Sequence, residues 1–477
     1  MDSPDKHLTR GFNWLGGATV VAKVIDFSTI LAVLLFLTKE QVGVASLVVS
    51  VAMVVEAFDG LGTAEALVQA QSVSRLQLDT LFWFVVGAAV LVGALTLAAA
   101  PGIAALYGVA GMQIYFVAAA VKQPLVGAAL IPLALLNREL RYERIATVNV
   151  CATLAAALTR LGLAVAGTGA WAIVGGYAAS GLYILIGALI ARPFLPGFQF
   201  QMAAIRPLVR FGVRAAAANI FEQVFKNIDF LLVGWFYGAA QLALYRVAFD
   251  VAMEPAMAVG TVVNRTALPV FARVSAVRDH LARSLSWSLH RLAMLVAPLM
   301  IGLILAADPL TALLHDEQGN SYAAAALPLK ILGAAALLRV SSQLLTPLML
   351  AAGRPGTAAN LSAATLMLLT VGIAAVGVTF DARTGIVAVA AVWLAVYPLL
   401  LVWGSAYLRR HWDIRVAELA QGFVAPLIAA GVMALVVKVL QELADGGPII
   451  QVAIVVAAVA LTYAGLFLNA RRQPRTA

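Results

Sequence analysis

The sequence has few charged residues for its length. Asp, Glu, Lys and Arg make up 12% of the 477 residues, whereas hydrophobic residues make up 62%. The mean hydropathy of +0.95 is higher than a soluble globular protein shows. No polar segment within residues 11–470 is long enough to form a soluble domain or a catalytic loop. These shortages predict an all-α polytopic membrane protein that works within or beside the bilayer.

The sequence also lacks the motifs of common enzyme and cofactor sites. It has no Gly-x-x-x-x-Gly-Lys-Ser/Thr loop for a nucleotide, and no His-Glu-x-x-His motif or Cys/His cluster for a metal. Its single cysteine, Cys151, cannot form an intrachain disulfide, so the redox compartment stays open. The net charge of +9 comes from arginines scattered between apolar runs, which are typical of cytoplasmic loops rather than of a nucleic-acid surface. We therefore expect a non-enzymatic protein without cofactor, metal or nucleic-acid partner.

Apolar runs divide the chain into about fourteen segments, each near the length of about 20 residues that a membrane-spanning helix needs. They centre on residues 11–37, 43–68, 79–104, 111–136, 145–166, 169–191, 208–236, 240–272, 284–307, 322–350, 356–379, 384–408, 418–440 and 448–470. Arginines are concentrated in alternate connections, whereas the others offer Lys39, Arg383 and Lys438. By the positive-inside rule, both termini are predicted to be cytoplasmic, as an even helix number requires. The first run has no small-residue cleavage site, so we expect no removable signal peptide.

A weak internal repeat relates the two halves of the chain. Val51-Ala52-Met53 recurs as Val251-Ala252-Met253, and the first and seventh helices then coincide. Such parallel repeats are typical of transporters whose substrate binds at the interface between repeats. We predict two pseudo-symmetric six-helix bundles, residues 1–205 and 206–415, followed by a helix pair and cytoplasmic tail in residues 416–477.

Charged side chains within the apolar runs indicate the candidate site. At membrane depth each costs roughly 2.5 to 3.5 kcal/mol, so such side chains usually face a watery cavity or each other. The candidate substrate-binding cations are Lys23, Lys122, Arg160, Lys226, Arg246 and Arg339. The candidate ion-coupling or cavity acids are Asp26, Glu56, Asp59, Glu222, Asp229, Asp250 and Glu254. Spacings of three or four place several of these on shared helix faces, where ion pairs that fix packing are the alternative interpretation.

Three of the cations have no acid within one helical turn in sequence. Lys122, Arg160 and Arg339 therefore need either a partner from another helix or an anionic ligand. We predict that they contribute to a net positive lining of a cavity between the halves. By contrast, Arg246 and Asp250 are four residues apart and have the spacing of an intrahelical ion pair.

Short motifs occur in a fixed order along nearly the whole chain. They are Leu37-Thr38-Lys39-Glu40-Gln41-Val42-Gly43, Asp59-Gly60-Leu61-Gly62-Thr63-Ala64-Glu65-Ala66-Leu67-Val68-Gln69, Asn137-Arg138-Glu139-Leu140-Arg141-Tyr142, Gly167-Thr168-Gly169-Ala170-Trp171-Ala172-Ile173-Val174, Phe211-Gly212, Asn227-Ile228-Asp229, Leu244-Tyr245 and Ala351-Ala352-Gly353-Arg354-Pro355. In order and spacing, these motifs resemble the polysaccharide transport family of the MOP superfamily, the Wzx-type oligosaccharide and lipopolysaccharide flippases.

This resemblance implies a V-shaped pair of bundles that works by alternating access. The implied substrate is an undecaprenyl-diphosphate-linked oligosaccharide, carried across the bacterial inner membrane for exopolysaccharide, capsule or O-antigen synthesis. Membrane lipid and a polysaccharide polymerase or export machinery are the implied partners. Ammonium and guanidinium groups suit a diphosphate because they offset its charge where water is scarce. The cavity acids would bind a coupling proton or sodium ion, or keep the cations in place.

Three other classes fit less well. A multidrug or metabolite cation antiporter of the same superfamily would have the same fold, but fewer cavity cations and about twelve helices. A membrane glycan ligase or polymerase would need a large outer loop with arginines and histidines, whereas the outer connections here are short. A major-facilitator transporter would need an Asp-Arg-x-Gly-Arg-Arg-like loop after the second helix, which residues 71–79 lack.

Overall fold

The computed structural model describes residues 4–274, 277–444 and 446–472, which are built almost entirely from helices. Fifteen α-helices follow one another along these residues, joined in places by short 3-10 turns. The extended pairing found in the described residues is an isolated antiparallel bridge between His315 and Ser321. The predicted all-α class is confirmed.

The helices have the following bounds. The first eight are α1 (Pro4–Val33), α2 (Lys39–Glu56), α3 (Thr63–Gln69), α4 (Arg75–Tyr107), α5 (Phe116–Arg138), α6 (Tyr142–Val165), α7 (Trp171–Ala191) and α8 (Met202–Val274). The remaining seven are α9 (Arg278–Leu313), α10 (Ala326–Ser342), α11 (Leu345–Ala351), α12 (Pro355–Thr379), α13 (Ala382–Trp412), α14 (Val416–Leu443) and α15 (Pro448–Arg472).

The chain forms two compact units. The first comprises Met1–Ala243 with Asp316–Gln318, and the second comprises Leu244–His315 with Gly319–Ala477. The division between them falls within α8. The predicted domains, residues 1–205, 206–415 and 416–477, stay a prediction.

Twelve stretches of the described helices are long and apolar enough to cross a membrane, which makes the chain a multi-pass membrane protein. Two features of the helices relate to the difference between these twelve stretches and the predicted count of about fourteen. The 18-residue α2 has charged residues at both ends, Lys39, Glu40 and Glu56, and is not among the twelve. The 73-residue α8 counts once, although its backbone leaves helical geometry at Gly238 (φ 79°, ψ 175°). Two predicted segments, 208–236 and 240–272, lie on either side of this break, and the count of about fourteen stays a prediction.

A capping box begins α2 and accounts for one motif of the sequence. The Thr38 hydroxyl accepts a hydrogen bond from the Gln41 backbone N–H (3.2 Å), and the Gln41 side chain accepts one from the Thr38 N–H (3.0 Å). This reciprocal pair satisfies two backbone donors at the helix start. The preceding carbonyl, that of Leu37, accepts from the backbone N–H of Glu317 at 3.3 Å.

Two glycines of the same motifs allow close backbone packing within the first unit. A Cβ at Gly43 would lie far inside contact distance of the carbonyl oxygen of Ala239. Gly62 has a positive φ of 68°, and a Cβ there would overlap the carbonyl oxygen of Gly212. Small residues of this kind let membrane helices approach closely.

In the second unit, α9 packs against α10, α14 and α15. Arg278, at its first residue, donates to the side chain of Glu418 (2.8 Å) and to the carbonyl of Asp413 (2.9 Å). Further along, Nδ1 of His290 lies 2.9 Å from the carbonyl oxygen of Gly422. These contacts attach the last helix pair to α9.

Candidate functional site

Lys122 of α5 is 7% exposed and contacts residues from two other helices. Its Nζ lies 2.6 Å from Oε1 of Glu56, the last residue of α2, and 3.5 Å from the ring centroid of Tyr177 in α7. The Tyr177 hydroxyl donates a hydrogen bond to the same Glu56 oxygen. An ammonium, a carboxylate and a phenol therefore form one cluster at the junction of three helices.

Arg160 of α6 has its acid on α1. Its Nη1 lies 2.8 Å from Oδ1 of Asp26, and the side chains are 12% and 40% exposed respectively. The buried Nε of Arg160 has no hydrogen-bond partner among the described residues. This guanidinium thus keeps one donor free beside its ion pair.

Two glycines of α7 pack closely against these two cations. A Cβ at Gly181 would lie 2.8 Å from Cγ of Lys122, and a Cβ at Gly176 would lie 2.8 Å from Cβ of Arg160. Because residues five apart point in different directions on a helix, the two cations lie on different flanks of α7. They belong to two separate clusters in the same unit.

Two further candidates belong to α1 and to the turn after α2. Lys23 is exposed on α1, and Asp26, three residues later, pairs with Arg160. The side chain of Asp59, in the turn Asp59–Gly62 after α2, lies outside the described side chains.

The part of α8 in the first unit contains one exposed ion pair and one buried acid. Nζ of Lys226 lies 2.6 Å from Oε1 of Glu222, with side chains 46% and 60% exposed. Asp229 is fully buried, and Asn227 is nearly so, donating to the carbonyl of Gln223 at 2.9 Å. The charged residues of this part of α8 therefore include an exposed pair and a buried acid.

In the second unit, α8 contains the intrahelical pair expected from its spacing. Nε of Arg246 lies 2.8 Å from Oδ2 of Asp250, and these side chains are 22% and 11% exposed. Glu254, one turn further on, is half-buried. The interpretation of Arg246 and Asp250 as an ion pair is confirmed.

Arg339 of α10 is 4% exposed and stacks on an aromatic ring. Its Cζ lies 4.8 Å from the ring centroid of Trp393 in α13. Trp393 in turn donates from Nε1 to the hydroxyl of Tyr245 in α8 at 2.9 Å, and both residues are buried. This arrangement places the guanidinium over the Trp393 ring at cation–π distance.

Two of the cations that lack an acid nearby in sequence have one in the structure. Lys122 and Arg160 were expected to need a partner from another helix or an anionic ligand, and each has a carboxylate from another helix. The first of these two alternatives, a partner from another helix, is present for both. Their assignment as substrate-binding residues, with that of the other candidates, stays a prediction.

Sequence reasoning missed the aromatic partners of two cations. Tyr177 lies in the small-residue run of residues 175–181, which favours helix packing and gives no sign of an acid or base nearby. Trp393 had a usable signal, because it lies in the middle of an apolar run rather than near its ends, where interface tryptophans are found. A tryptophan buried at membrane depth needs a partner for its N–H, which here is Tyr245.

Comparison with known proteins gives the family. The family model described as "Polysaccharide biosynthesis protein" matches residues 30–324, more than half of the chain. The chain belongs to this polysaccharide biosynthesis protein family. The resemblance drawn from the motifs is confirmed.

Curated relatives of this family member include proteins of Escherichia coli and Bacillus subtilis. It is 22% identical over 318 residues to the lipopolysaccharide biosynthesis protein WzxC of Escherichia coli, which covers 65% of this chain and 64% of that protein. It is 27% identical over 296 residues to the teichuronic acid biosynthesis protein TuaB of Bacillus subtilis, which covers 61% and 59%. The chain thus matches a little under two thirds of the length of these relatives.

Solved structures show which fold this family member has. The lipid II flippase MurJ, in an inward closed conformation, matches with a TM-score of 0.71 and 12% identity over 95% of this chain and 99% of that one. An inward-facing multidrug resistance MATE family transporter of the MOP superfamily matches with a TM-score of 0.61 and 13% identity, over 83% and 95%. The predicted MOP-type fold is confirmed.

Proposed function

We propose that this protein is a flippase that moves an undecaprenyl-diphosphate-linked oligosaccharide from the inner to the outer leaflet of the bacterial inner membrane. It works by alternating access and supplies exopolysaccharide, capsule or O-antigen synthesis, without chemical change of the substrate. Membership of the polysaccharide biosynthesis family and a fold shared with a lipid II flippase support this proposal. A polysaccharide polymerase or export machinery receives the product, and both termini lie in the cytoplasm.

The observation that carries the proposal is the burial of Lys122 in an apolar helix of a family member. A buried cation at membrane depth is costly and is therefore a functional candidate. A diphosphate is an anion whose crossing of the bilayer requires positively charged groups along its path, and charge-assisted hydrogen bonds to it are strong. Arg339 supplies a second such group, with a guanidinium plane suited to bidentate contact with phosphate.

A multidrug or metabolite cation antiporter is the second candidate, because the MATE transporter shares the fold. The buried acids Asp229 and Asp250 suit a cationic substrate or a coupling ion. The twelve apolar stretches of the described helices equal the number expected of this candidate, so the helix count does not exclude it. We favour the flippase on the family match and the buried cations.

A complementation experiment tests the proposal. The gene is deleted in its native host, and surface polysaccharide and inner-leaflet lipid-linked oligosaccharide are measured with and without a plasmid copy. We expect loss of surface polysaccharide and accumulation of the lipid-linked intermediate, both reversed by the wild-type copy. Normal polysaccharide combined with increased drug sensitivity would instead identify the antiporter.

Two matched lysine variants test whether export depends on the buried lysine. Lys122→Ala should not restore export at wild-type protein levels. Lys330→Ala should restore it, because Lys330 forms its 2.6 Å ion pair with Asp308 at an exposed position. Both lysines have the same distance to a carboxylate, so the comparison isolates burial in an apolar helix bundle.

A further inference from the structure

One oxygen atom of Glu56 accepts hydrogen bonds from the two donors of the Lys122 cluster. The Lys122 ammonium and the Tyr177 hydroxyl both contact Oε1. A phosphate oxygen accepts the same two donors with the same charge and similar geometry. The carboxylate thus occupies the position in which a phosphate oxygen would be bound.

We propose that Lys122 and Tyr177 form a subsite for the diphosphate group, and that Glu56 is an internal competitor that occupies it when no substrate is bound. The assignment of the ligand as a diphosphate rests on the proposed function. It adds Tyr177 as a ligand-binding hydroxyl and assigns Glu56 to competition rather than to direct contact with substrate.

The exchange requires a proton. When a diphosphate oxygen takes the ammonium of Lys122 and the hydroxyl hydrogen bond of Tyr177, Glu56 loses both partners. A carboxylate that loses its counter-ion at a largely buried position binds a proton more readily. One proton from water is therefore taken up by a Glu56 oxygen as the diphosphate binds, and it leaves when the carboxylate returns to Lys122. The Glu56 side chain, 21% exposed against 9% for Lys122, is accessible to this proton.

The groups around Glu56 support this assignment. Among the described contacts, the titratable groups that meet it are Lys122 from α5 and Tyr177 from α7. The turn Met112–Tyr115, which also packs on α2, contributes Tyr115, whose ring lies against Trp171. The described contacts of α8 with α2 include Ala239 and Gly234, which do not titrate. A change of charge at Glu56 therefore acts on Lys122 first.

Binding to the purified full-length protein in lipid nanodiscs tests the inference, with farnesyl diphosphate as the probe. Isothermal titration between about pH 7.5 and about pH 9 avoids most of the probe's own protonation. We expect wild-type affinity to rise as the pH falls, and the heats in buffers of different ionisation enthalpy to give uptake of about one proton per bound probe. No proton uptake on binding, or no binding of the probe, would overturn the inference without any variant being made.

Variants separate competition from simple stabilisation. Glu56→Gln removes the competing charge, so the probe should bind about tenfold more tightly at the upper pH and lose its pH dependence. Glu139→Gln is the matched control, because Glu139 pairs with Arg192 (2.8 Å) at the far end of α5, and it should behave as wild type. Equal or weaker binding by a folded Glu56→Gln protein contradicts the competition.

Different experiments test the inference and the proposed function. Export of glycan in cells tests the function, whereas proton-linked diphosphate binding by the purified protein tests the subsite. Normal complementation with no proton uptake would leave the flippase and remove the competitor role of Glu56. Proton-linked binding without any role in glycan export would leave the subsite and remove the flippase.

Discussion

Asp26 and Arg160 are 134 residues apart in sequence, yet Oδ1 of the acid lies 2.8 Å from Nη1 of the arginine. The contact joins α1 to α6 in the first unit, and the Arg160 side chain is largely buried. Removal of one member of such a pair leaves the other charge without its partner, which costs more than loss of the pair as a whole.

Asp26→Ala should therefore destabilise the protein, lowering its midpoint of thermal unfolding by about 5 °C, because it leaves the largely buried Arg160 without its acid. The reversed double variant Asp26→Arg with Arg160→Asp should recover most of this loss, because it restores opposite charges across the same helix pair. Thermal unfolding in detergent, followed by size-exclusion chromatography, measures both. A double variant no more stable than the single alanine variant would show that the pair contributes no attraction.

Gly43→Ala should reduce the yield of folded protein, because the added methyl group overlaps the carbonyl oxygen of Ala239. Overpacking of this kind costs about 1 to 3 kcal/mol, and backbone atoms cannot move aside as a flexible side chain can. Gly87→Ala is the control, since a Cβ at Gly87 in α4 meets no atom within 4 Å. Monodisperse protein should fall about threefold or more for Gly43→Ala and not for Gly87→Ala; similar yields would contradict the close contact.

Arg339→Lys should weaken glycan export although it keeps the charge. A lysine cannot present a planar guanidinium to the Trp393 ring or make bidentate contacts to a phosphate. Arg291→Lys is a matched control, because Cζ of Arg291 lies 5.1 Å from the ring centroid of the exposed Trp287. At equal protein levels, export should fall to about a third or less for Arg339→Lys and stay unchanged for Arg291→Lys. Full export by Arg339→Lys would show that a point charge is sufficient there.

Reporter fusions should place α2 across the membrane although its charged ends exclude it from the apolar stretches. Fusions after residues 39 and 71 should give outer and cytoplasmic signals, because Lys39 and Arg75 lie in connections of opposite predicted side. Fusions after residues 316 and 475 should likewise give outer and cytoplasmic signals. The same signal at 39 and 71 would mean that α2 does not span, and would remove the even helix count on which the orientation depends.

Local sequence patterns were sufficient for much of the fold and for some contacts of the site. Runs of apolar residues located the helices, since a spanning helix must satisfy its backbone hydrogen bonds internally. The i,i+4 spacing predicted the contact of Arg246 with Asp250, because both residues lie on one helix face. The break at Gly238 also matches the gap between two predicted segments.

The sequence by itself determined the membrane character, the all-α class and the family, because composition, apolar length and motif order depend only on the order of residues. Only the tertiary structure decided which acid meets Lys122 and which meets Arg160, and that Trp393 lies under Arg339. Each of these contacts joins different helices, whose relative rotation and depth depend on packing such as that of Gly176 and Gly181 against their neighbours. An ion pair between helices follows from that packing, and no local spacing in the sequence contains it.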